Sequence, residues 1–223
     1  IAPTTTPEAG ESESMLRSIR QLLIDMDGVL WRGEEPLPGL QAFFHFLREQ
    51  DIGYTLATNN ASRTPDQYAE KLAGFGVEVP RSNILTSSLV VAAYLADVAP
   101  VGSTVYAIGE DGLIHALQDE GFVLGDKEAE YVVVGWDRGL TYQKLTTAAL
   151  LIHHGAAFVG TNPDVTYPTE RGPAPGNGAI LAALEAATEV EPVVTGKPEP
   201  RMYEEALRRM GAAPQTTAMI GDR

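Results

Sequence analysis

The sequence predicts an α/β fold in which parallel strands are covered by helices. Short apolar runs alternate with amphipathic stretches along most of the chain, and this alternation is typical of parallel sheets with helical crossovers. The 223 residues are enough for one large domain or for two modest ones. An apolar fraction of 44% is too high for a disordered chain.

The individual elements follow from apolar spacing and from capping residues. Residues 21–24 precede a turn-rich Asp-Met-Asp-Gly and predict a buried strand. Leu40, Phe43, Phe44 and Leu47 recur at spacings of three and four, which predicts a helix over 39–50. Thr64 followed by Pro65 indicates a capped helix start. The remaining predicted strands are 53–58, 103–109, 129–136, 156–160, 192–195 and 217–220, and the helices are 64–76, 87–98, 111–120, 141–154, 178–189 and 200–210.

Composition excludes several classes of protein. The absence of cysteine excludes a disulfide scaffold, a thiolate metal site and a cysteine nucleophile. A net charge of −14 argues against nucleic acid or an anionic membrane as the partner. No stretch of 18 apolar residues occurs, and the polar residues 1–14 predict a disordered tail, not a signal peptide. We therefore expect a cytoplasmic protein.

Polar side chains follow four of the predicted strands, at the edge where open α/β sheets bind ligands. They are Asp25 and Asp27, Thr58 and Asn59, Lys197, and Asp222. Carboxylates from different strands, with carbonyls and water, can form an all-oxygen Mg²⁺ site. One aspartate can act as a nucleophile and a second as general acid and base, while hydroxyl, amide and lysine hold phosphoryl oxygens. The set therefore indicates phosphoryl transfer.

These residues resemble the four motifs of the haloacid dehalogenase superfamily, in order. The matching stretches are Asp25-Met-Asp27-Gly-Val-Leu, Thr58-Asn-Asn, Gly196-Lys197-Pro and Gly221-Asp222. The closer resemblance is to the subfamily that includes NagD, p-nitrophenyl phosphatases, pyridoxal phosphatase and phosphoglycolate phosphatase. It is carried by LIDMDGVLW at 23–31, ATNNAS at 57–62, GTNPD at 160–164 and PGNGAILAALEAAT at 175–188.

The resemblance implies a role for each matched residue. Asp25 would be the nucleophile and also a Mg²⁺ ligand. Asp27 would be the general acid and base, with its backbone carbonyl on the metal. Thr58 and Asn59 would bind the phosphoryl group. Lys197 would hold the nucleophile and the phosphate together, and Asp222 would bind Mg²⁺.

The resemblance also implies a domain organisation. A doubly wound, Rossmann-like core would comprise residues 15–99 and 192–223, and an inserted α/β cap of the C2 type would comprise residues 100–191. Tyr167 and Arg171 lie where this subfamily places its substrate loop and are candidates for substrate specificity. The family's fourth motif continues past Gly-Asp with further acidic residues and core strands, so we expect the chain to be truncated at its C-terminus.

The predicted function is Mg²⁺-dependent hydrolysis of small phosphomonoesters through an aspartyl-phosphate. A phosphomutase or phosphotransferase of the same superfamily and a catalytically impaired scaffold stay open as alternatives. A phospho-accepting receiver would also combine acids, Thr and Lys, but the long interval between Asp25 and Lys197 argues against its compact single domain. The expected partner is a small phosphorylated metabolite, with no nucleic acid and no membrane, and the sequence leaves a homodimer open.

Overall fold

The computed structural model describes residues 17–169 and 172–222 of the chain. The predicted tail at 1–14 and the specificity candidate Arg171 lie outside these residues. In chain order the strands are β1 (Gln21–Asp25), β2 (Trp31–Arg32), β3 (Glu35–Pro36), β4 (Gly53–Thr58), β5 (Ile84–Thr86), β6 (Thr104–Ile108), β7 (Val123–Leu124), β8 (Tyr131–Val134), β9 (Ala157–Gly160), β10 (Thr166–Thr169), β11 (Gly172–Pro175), β12 (Val193–Val194) and β13 (Thr217–Ile220). The helices are α1 (Leu40–Glu49), α2 (Pro65–Gly74), α3 (Ser87–Val98), α4 (Asp111–Asp119), α5 (Tyr142–His153), α6 (Asn177–Thr188) and α7 (Arg201–Met210).

The first sheet has four parallel strands in the order β13-β1-β4-β5. Successive side chains on a strand point to opposite faces, and both faces of β1 are buried. Ile24 packs with Phe44 of α1 and Leu72 of α2 on one face. Leu23 packs on the other face with Met202 of α7. Helices therefore cover both faces, as in a doubly wound sheet, and the predicted fold class is confirmed.

The second sheet has five parallel strands in the order β12-β9-β8-β6-β7. Its inner residues are also covered on both faces. Val133 packs with Leu95 and Leu113 of helices α3 and α4, whereas Val134 packs with Ile152 and Leu181 of α5 and α6. Two helical layers thus enclose a second parallel sheet between β5 and β13.

The limits of the second sheet differ slightly from the expected cap limits of 100 and 191. Strand β12 was predicted from residues 192–195 and assigned to the core, but it pairs in parallel with β9 of the second sheet. Helix α3 also contributes to both regions, because Val90 packs beneath the first sheet and Val91 beneath the second. The division into core and cap stays a prediction.

Two antiparallel hairpins complete the described part of the chain. Strands β2 and β3 pair immediately after the Asp25–Gly28 turn, with Trp31 opposite Pro36. Strands β10 and β11 pair with Tyr167 opposite Ala174, so the predicted specificity residue lies on a hairpin. None of the described helices is long and apolar enough to cross a membrane.

Candidate active site

The carboxyl ends of β1, β4 and β13 meet at one edge of the first sheet. Ile24 pairs with Leu56 on one side and with Ile220 on the other, so the residues that follow these strands are neighbours. Asp25, Thr58 and Asp222 are therefore brought to the same edge, as the sequence predicts. The parallel register alone produces this grouping.

Lys197 reaches the same edge from the end of β12. Its Nζ lies 2.7 Å from Asp25 Oδ2, and the two side chains are only 13% and 21% exposed. The second carboxylate oxygen, Asp25 Oδ1, accepts a hydrogen bond of 2.8 Å from the backbone N–H of Met26. Both oxygens of Asp25 are thus engaged, which fixes the orientation of the predicted nucleophile.

Asp27 contacts different groups from Asp25 although only one residue separates them. The Trp31 indole Nε1–H donates to Asp27 Oδ1 at 2.8 Å, and the Thr58 hydroxyl donates to Asp27 Oδ2 at 3.5 Å. The turn at Gly28 lets the chain fold back so that Trp31 can make this contact. Trp31 was not predicted as a site residue. Its only sequence signal is its place in the LIDMDGVLW stretch.

The side chain of Asn59 holds the main chain of Lys197 on two sides. Asn59 Oδ1 accepts from the Lys197 N–H at 2.8 Å, and Asn59 Nδ2 donates to the Lys197 carbonyl at 2.9 Å. The same Nδ2 donates to Asp164 Oδ2 at 3.0 Å. The side-chain amide is therefore committed to protein groups, and the expected contact between Asn59 and a phosphoryl group stays a prediction.

Two further asparagines extend this contact into the second sheet. Asn162 Nδ2 donates to the Asn59 carbonyl at 2.8 Å, and Asn162 Oδ1 accepts from the Asp164 N–H at 3.1 Å. Asn177 Nδ2, at the start of α6, donates to the Asn162 carbonyl at 2.8 Å. Asn162 and Asn177 are both buried. We call Asn59, Asn162 and Asn177 the asparagine network; it links α6 to Lys197.

Asp222 lies directly over Gly28. Gly28 has a φ of +85°, and a β-carbon at this position would overlap Asp222 Oδ2. A residue with a side chain would be strained by this φ and would displace the carboxylate. The positive φ of the turn therefore favours glycine here, and an added β-carbon would also move the Asp222 carboxylate.

The donor set at this edge fits a small, hard cation. Over residues 17–169 and 172–222, no three or more His, Asp or Glu side chains form a metal-binding group. The Asp27 carboxylate bonds Trp31 and Thr58, so among the predicted metal ligands Asp25 and Asp222 are the two expected to offer side-chain oxygens. Mg²⁺ is commonly bound through only one or two carboxylates, with water and substrate phosphate completing the octahedron.

Tyr167 belongs to an aromatic pair with Trp136, a residue that follows strand β8 of the second sheet. Its ring stacks on Trp136 with centroids 4.5 Å apart and planes 24° apart. The Arg138 guanidinium lies 5.4 Å from the Trp136 ring centroid and pairs with Glu110 at 2.7 Å. Burial raises the pKa of Tyr167, and the Asp27 carboxylate raises it further. Tyr167 is therefore within electrostatic reach of the site.

The fold and this edge define a haloacid dehalogenase-like hydrolase. The profile of the Haloacid dehalogenase-like hydrolase family matches residues 22–123, and a second profile, described as HAD-hydrolase-like, matches residues 194–223. The chain belongs to this family, as the level of identity to its members shows.

Three relatives narrow the comparison to phosphatases. The chain is 41% identical over 208 residues to an acid sugar phosphatase of Staphylococcus saprophyticus, spanning 93% of this chain and 80% of that protein. It is 39% identical over 207 residues to the 5'-nucleotidase YutF of Bacillus subtilis, and this alignment also covers 93% of this chain and 80% of that protein. A crystal structure of a thermostable NPPase double mutant from Geobacillus stearothermophilus superposes with a TM-score of 0.88 at 39% identity, covering 92% of this chain and 81% of that one. The predicted family and phosphatase class are confirmed, whereas the roles of single residues stay predictions.

Proposed function

We propose that this chain hydrolyses small phosphomonoesters through an aspartyl-phosphate formed on Asp25. The observation that carries the proposal is the contact of 2.7 Å between Lys197 Nζ and Asp25 Oδ2. The ammonium offsets negative charge where an anionic phosphoryl group must approach a carboxylate. The acid sugar phosphatase and 5'-nucleotidase relatives support the same class of substrate.

The reaction then runs in two steps, formation of the aspartyl-phosphate and its hydrolysis. An Asp25 carboxylate oxygen attacks phosphorus, the bond from phosphorus to the ester oxygen breaks, and Asp27 gives its proton to the leaving oxygen. A water molecule next attacks the aspartyl-phosphate and passes a proton to Asp27, and the bond between phosphorus and Asp25 breaks. Asp27 is suited to both transfers because it is exposed and is oriented by Trp31 and Thr58.

The groups around Asp25 hold the phosphoryl oxygens. We assign this binding to the Thr58 hydroxyl, to the Lys197 ammonium and to the main-chain N–H of Asn59, because the Asn59 side chain is committed elsewhere. Asp25, Asp222 and the Asp27 carbonyl would hold Mg²⁺, which when bound supplies positive charge to the transferring group.

The second sheet would form a cap over this edge, with residues 100–191 inserted into a core of residues 15–99 and 192–223. Strand β12 of the C-terminal core segment would then pair at the edge of the cap sheet. The contact between Asp164 and Asn59 supports this, because it joins the loop after β9 to the site. A cap excludes water and contacts the leaving group. We assign substrate selection to Tyr167, which stacks on Trp136, and to Arg171.

The test is phosphate release from p-nitrophenyl phosphate, a sugar phosphate and a nucleoside monophosphate, with Mg²⁺ and with EDTA. We expect turnover that requires Mg²⁺ and that falls at least about a hundredfold in Asp25→Asn, since the nucleophile is lost. Asp66→Asn is the matched control, because Asp66 is an exposed aspartate in the first turn of α2. Full activity in Asp25→Asn would refute the proposal, and transfer to an added alcohol in place of hydrolysis would identify a phosphotransferase.

A further inference from the structure

Tyr68 in helix α2 carries a hydroxyl that the fold does not explain. The side chain is only 2% exposed. Its hydroxyl makes no hydrogen bond of ordinary length to the residues that the structure describes, and the Thr58 hydroxyl acts on it only as a weak hydrogen-bonding neighbour. A buried hydroxyl without a partner destabilises a protein relative to phenylalanine of the same shape. A role in packing accounts for the ring of Tyr68 but not for its oxygen.

The ring of Tyr68 lies against the residue that orients Asp27. It stacks on Trp31 with centroids 6.3 Å apart and planes 19° apart, and Trp31 Nε1 holds Asp27 Oδ1. Burial raises the pKa of Tyr68 and the Asp27 carboxylate raises it further, while the Thr58 hydroxyl acts in the opposite direction. The phenol therefore keeps its proton, and the contacts of Trp31 with Tyr68 and Asp27 and of Asp27 with Thr58 connect its ring to Thr58.

The Thr58 hydroxyl has room for another donor. Its oxygen accepts from the Asn60 N–H at 3.1 Å, and it donates to Asp27 Oδ2 over a long 3.5 Å. A hydroxyl can accept two hydrogen bonds and donate one. A second donor to Thr58 Oγ1 would occupy its remaining lone pair, so that the Thr58 hydroxyl could meet a phosphoryl oxygen only as a hydrogen-bond donor.

We propose that Tyr68 is a positioning residue for Thr58, donating its phenolic proton to Thr58 Oγ1 in the reacting complex so that the Thr58 hydroxyl donates to the phosphoryl group. This inference rests on the proposed function. It assigns Tyr68 no contact with substrate, since the phenol acts through Thr58.

The substitution Tyr68→Phe in the full chain separates this role from packing. We expect kcat to fall about three- to tenfold, the effect of one neutral hydrogen bond, with KM changed less than kcat and Tm unchanged or raised. Tyr54→Phe is the matched control, because Tyr54 is a half-buried tyrosine that packs edge-on against Phe44 and lines a cleft with Arg48 and Pro80. Its kinetics should equal those of the parent.

A double-mutant cycle with Thr58→Val tests whether Tyr68 acts through Thr58. We expect Tyr68→Phe to have no further effect on kcat, or on inorganic phosphate binding measured by calorimetry, once Thr58→Val is present. Additive effects, or parent-like kinetics in Tyr68→Phe beside an inactive Asp25→Asn, would overturn the inference and leave the proposed function intact. A parent protein that releases no phosphate from any ester would overturn both.

Discussion

At the scale of single residues, the position of Lys197 depends on its main chain. Asn59 bonds the N–H and the carbonyl of Lys197, so the side chain leaves a fixed backbone and meets Asp25 at 2.7 Å. The Nζ also donates to the Ala57 carbonyl at 3.4 Å. A lysine anchored in this way acts as a localised point charge, which the branched, planar guanidinium of arginine would not reproduce.

The sequence predicted which residues meet at the site better than it predicted where their side chains point. Asp25, Thr58 and Asp222 could be placed because parallel strands bring their ends together. The contact of Trp31 with Asp27 could not be predicted, because it depends on the geometry of a turn. The contact of Asn162 with Asn59 could not be predicted either, because it depends on the packing of segments about 100 residues apart. Strand position follows from local pattern, whereas side-chain direction requires the tertiary fold.

Gly28 provides a test of the predicted metal site. We expect Gly28→Ala to lower stability by about 1 kcal/mol, because alanine is strained at φ +85°. We also expect the Mg²⁺ concentration for half-maximal activity to rise several-fold, because the new β-carbon displaces Asp222. Gly33→Ala is the control, since Gly33 has φ +60° and an added β-carbon there would meet no atom within 4 Å. Equal Mg²⁺ dependence in the two variants would contradict the role of Asp222.

At the scale of elements, the long helices and the buried strands were predictable, whereas most of the two-residue strands, with β12 as the exception, were not. The predicted spans for β4, α3 and β13 match the observed ones, and Thr64 caps α2 in a capping box with Gln67. The strands β2, β3 and β7 have two residues each, too few for any periodicity. Strands β10 and β11 contain Pro168, Pro173 and Pro175, which sequence patterns associate with loops.

The asparagine network couples α6 to the site, and Asn162→Asp tests that coupling. The substitution keeps the acceptor for the Asp164 N–H but replaces the donor to the Asn59 carbonyl with a repelling oxygen. We expect kcat/KM to fall about tenfold or more at a temperature where the variant is folded. Asn83→Asp is the control, because Asn83 donates in the same way to the Tyr54 carbonyl. Equal kinetic losses in both variants would count against a positioning role for the network.

At the scale of the whole molecule, the chain carries an excess of negative charge, and some of its acidic side chains form ion pairs with arginines. Glu205 in α7 is 8% exposed and accepts hydrogen bonds from Arg208 at 2.7 Å and from Arg209 at 2.6 Å. Burial of the carboxyl opposes ionisation, but these hydrogen bonds outweigh it and lower the pKa of Glu205. Because all three side chains lie on α7, these ion pairs stabilise the helix itself, and its Met202 and Ala206 pack against the first sheet.

The lowered pKa sets the sign of a pH effect on stability. A carboxyl with a depressed folded pKa contributes stability above its unfolded pKa and loses it as the pH falls through the folded value. We expect Glu205→Gln to have a lower Tm than the parent at pH 7 and a shallower fall in Tm below about pH 4.5. Glu204→Gln, an exposed neighbour on the same helix, should match the parent. Parallel Tm curves for all three proteins would show that Glu205 makes no such contribution.

The order of strands in the first sheet has a consequence for synthesis. Its central strand β1 pairs with β4, a near neighbour along the chain, and with β13, which lies almost the whole described chain away. The second sheet is assembled from strands that all lie between these two. A ribosome therefore delivers every strand of the second sheet before it delivers the partner that completes β1, and until then one edge of the strand carrying Asp25 has unpaired main-chain groups.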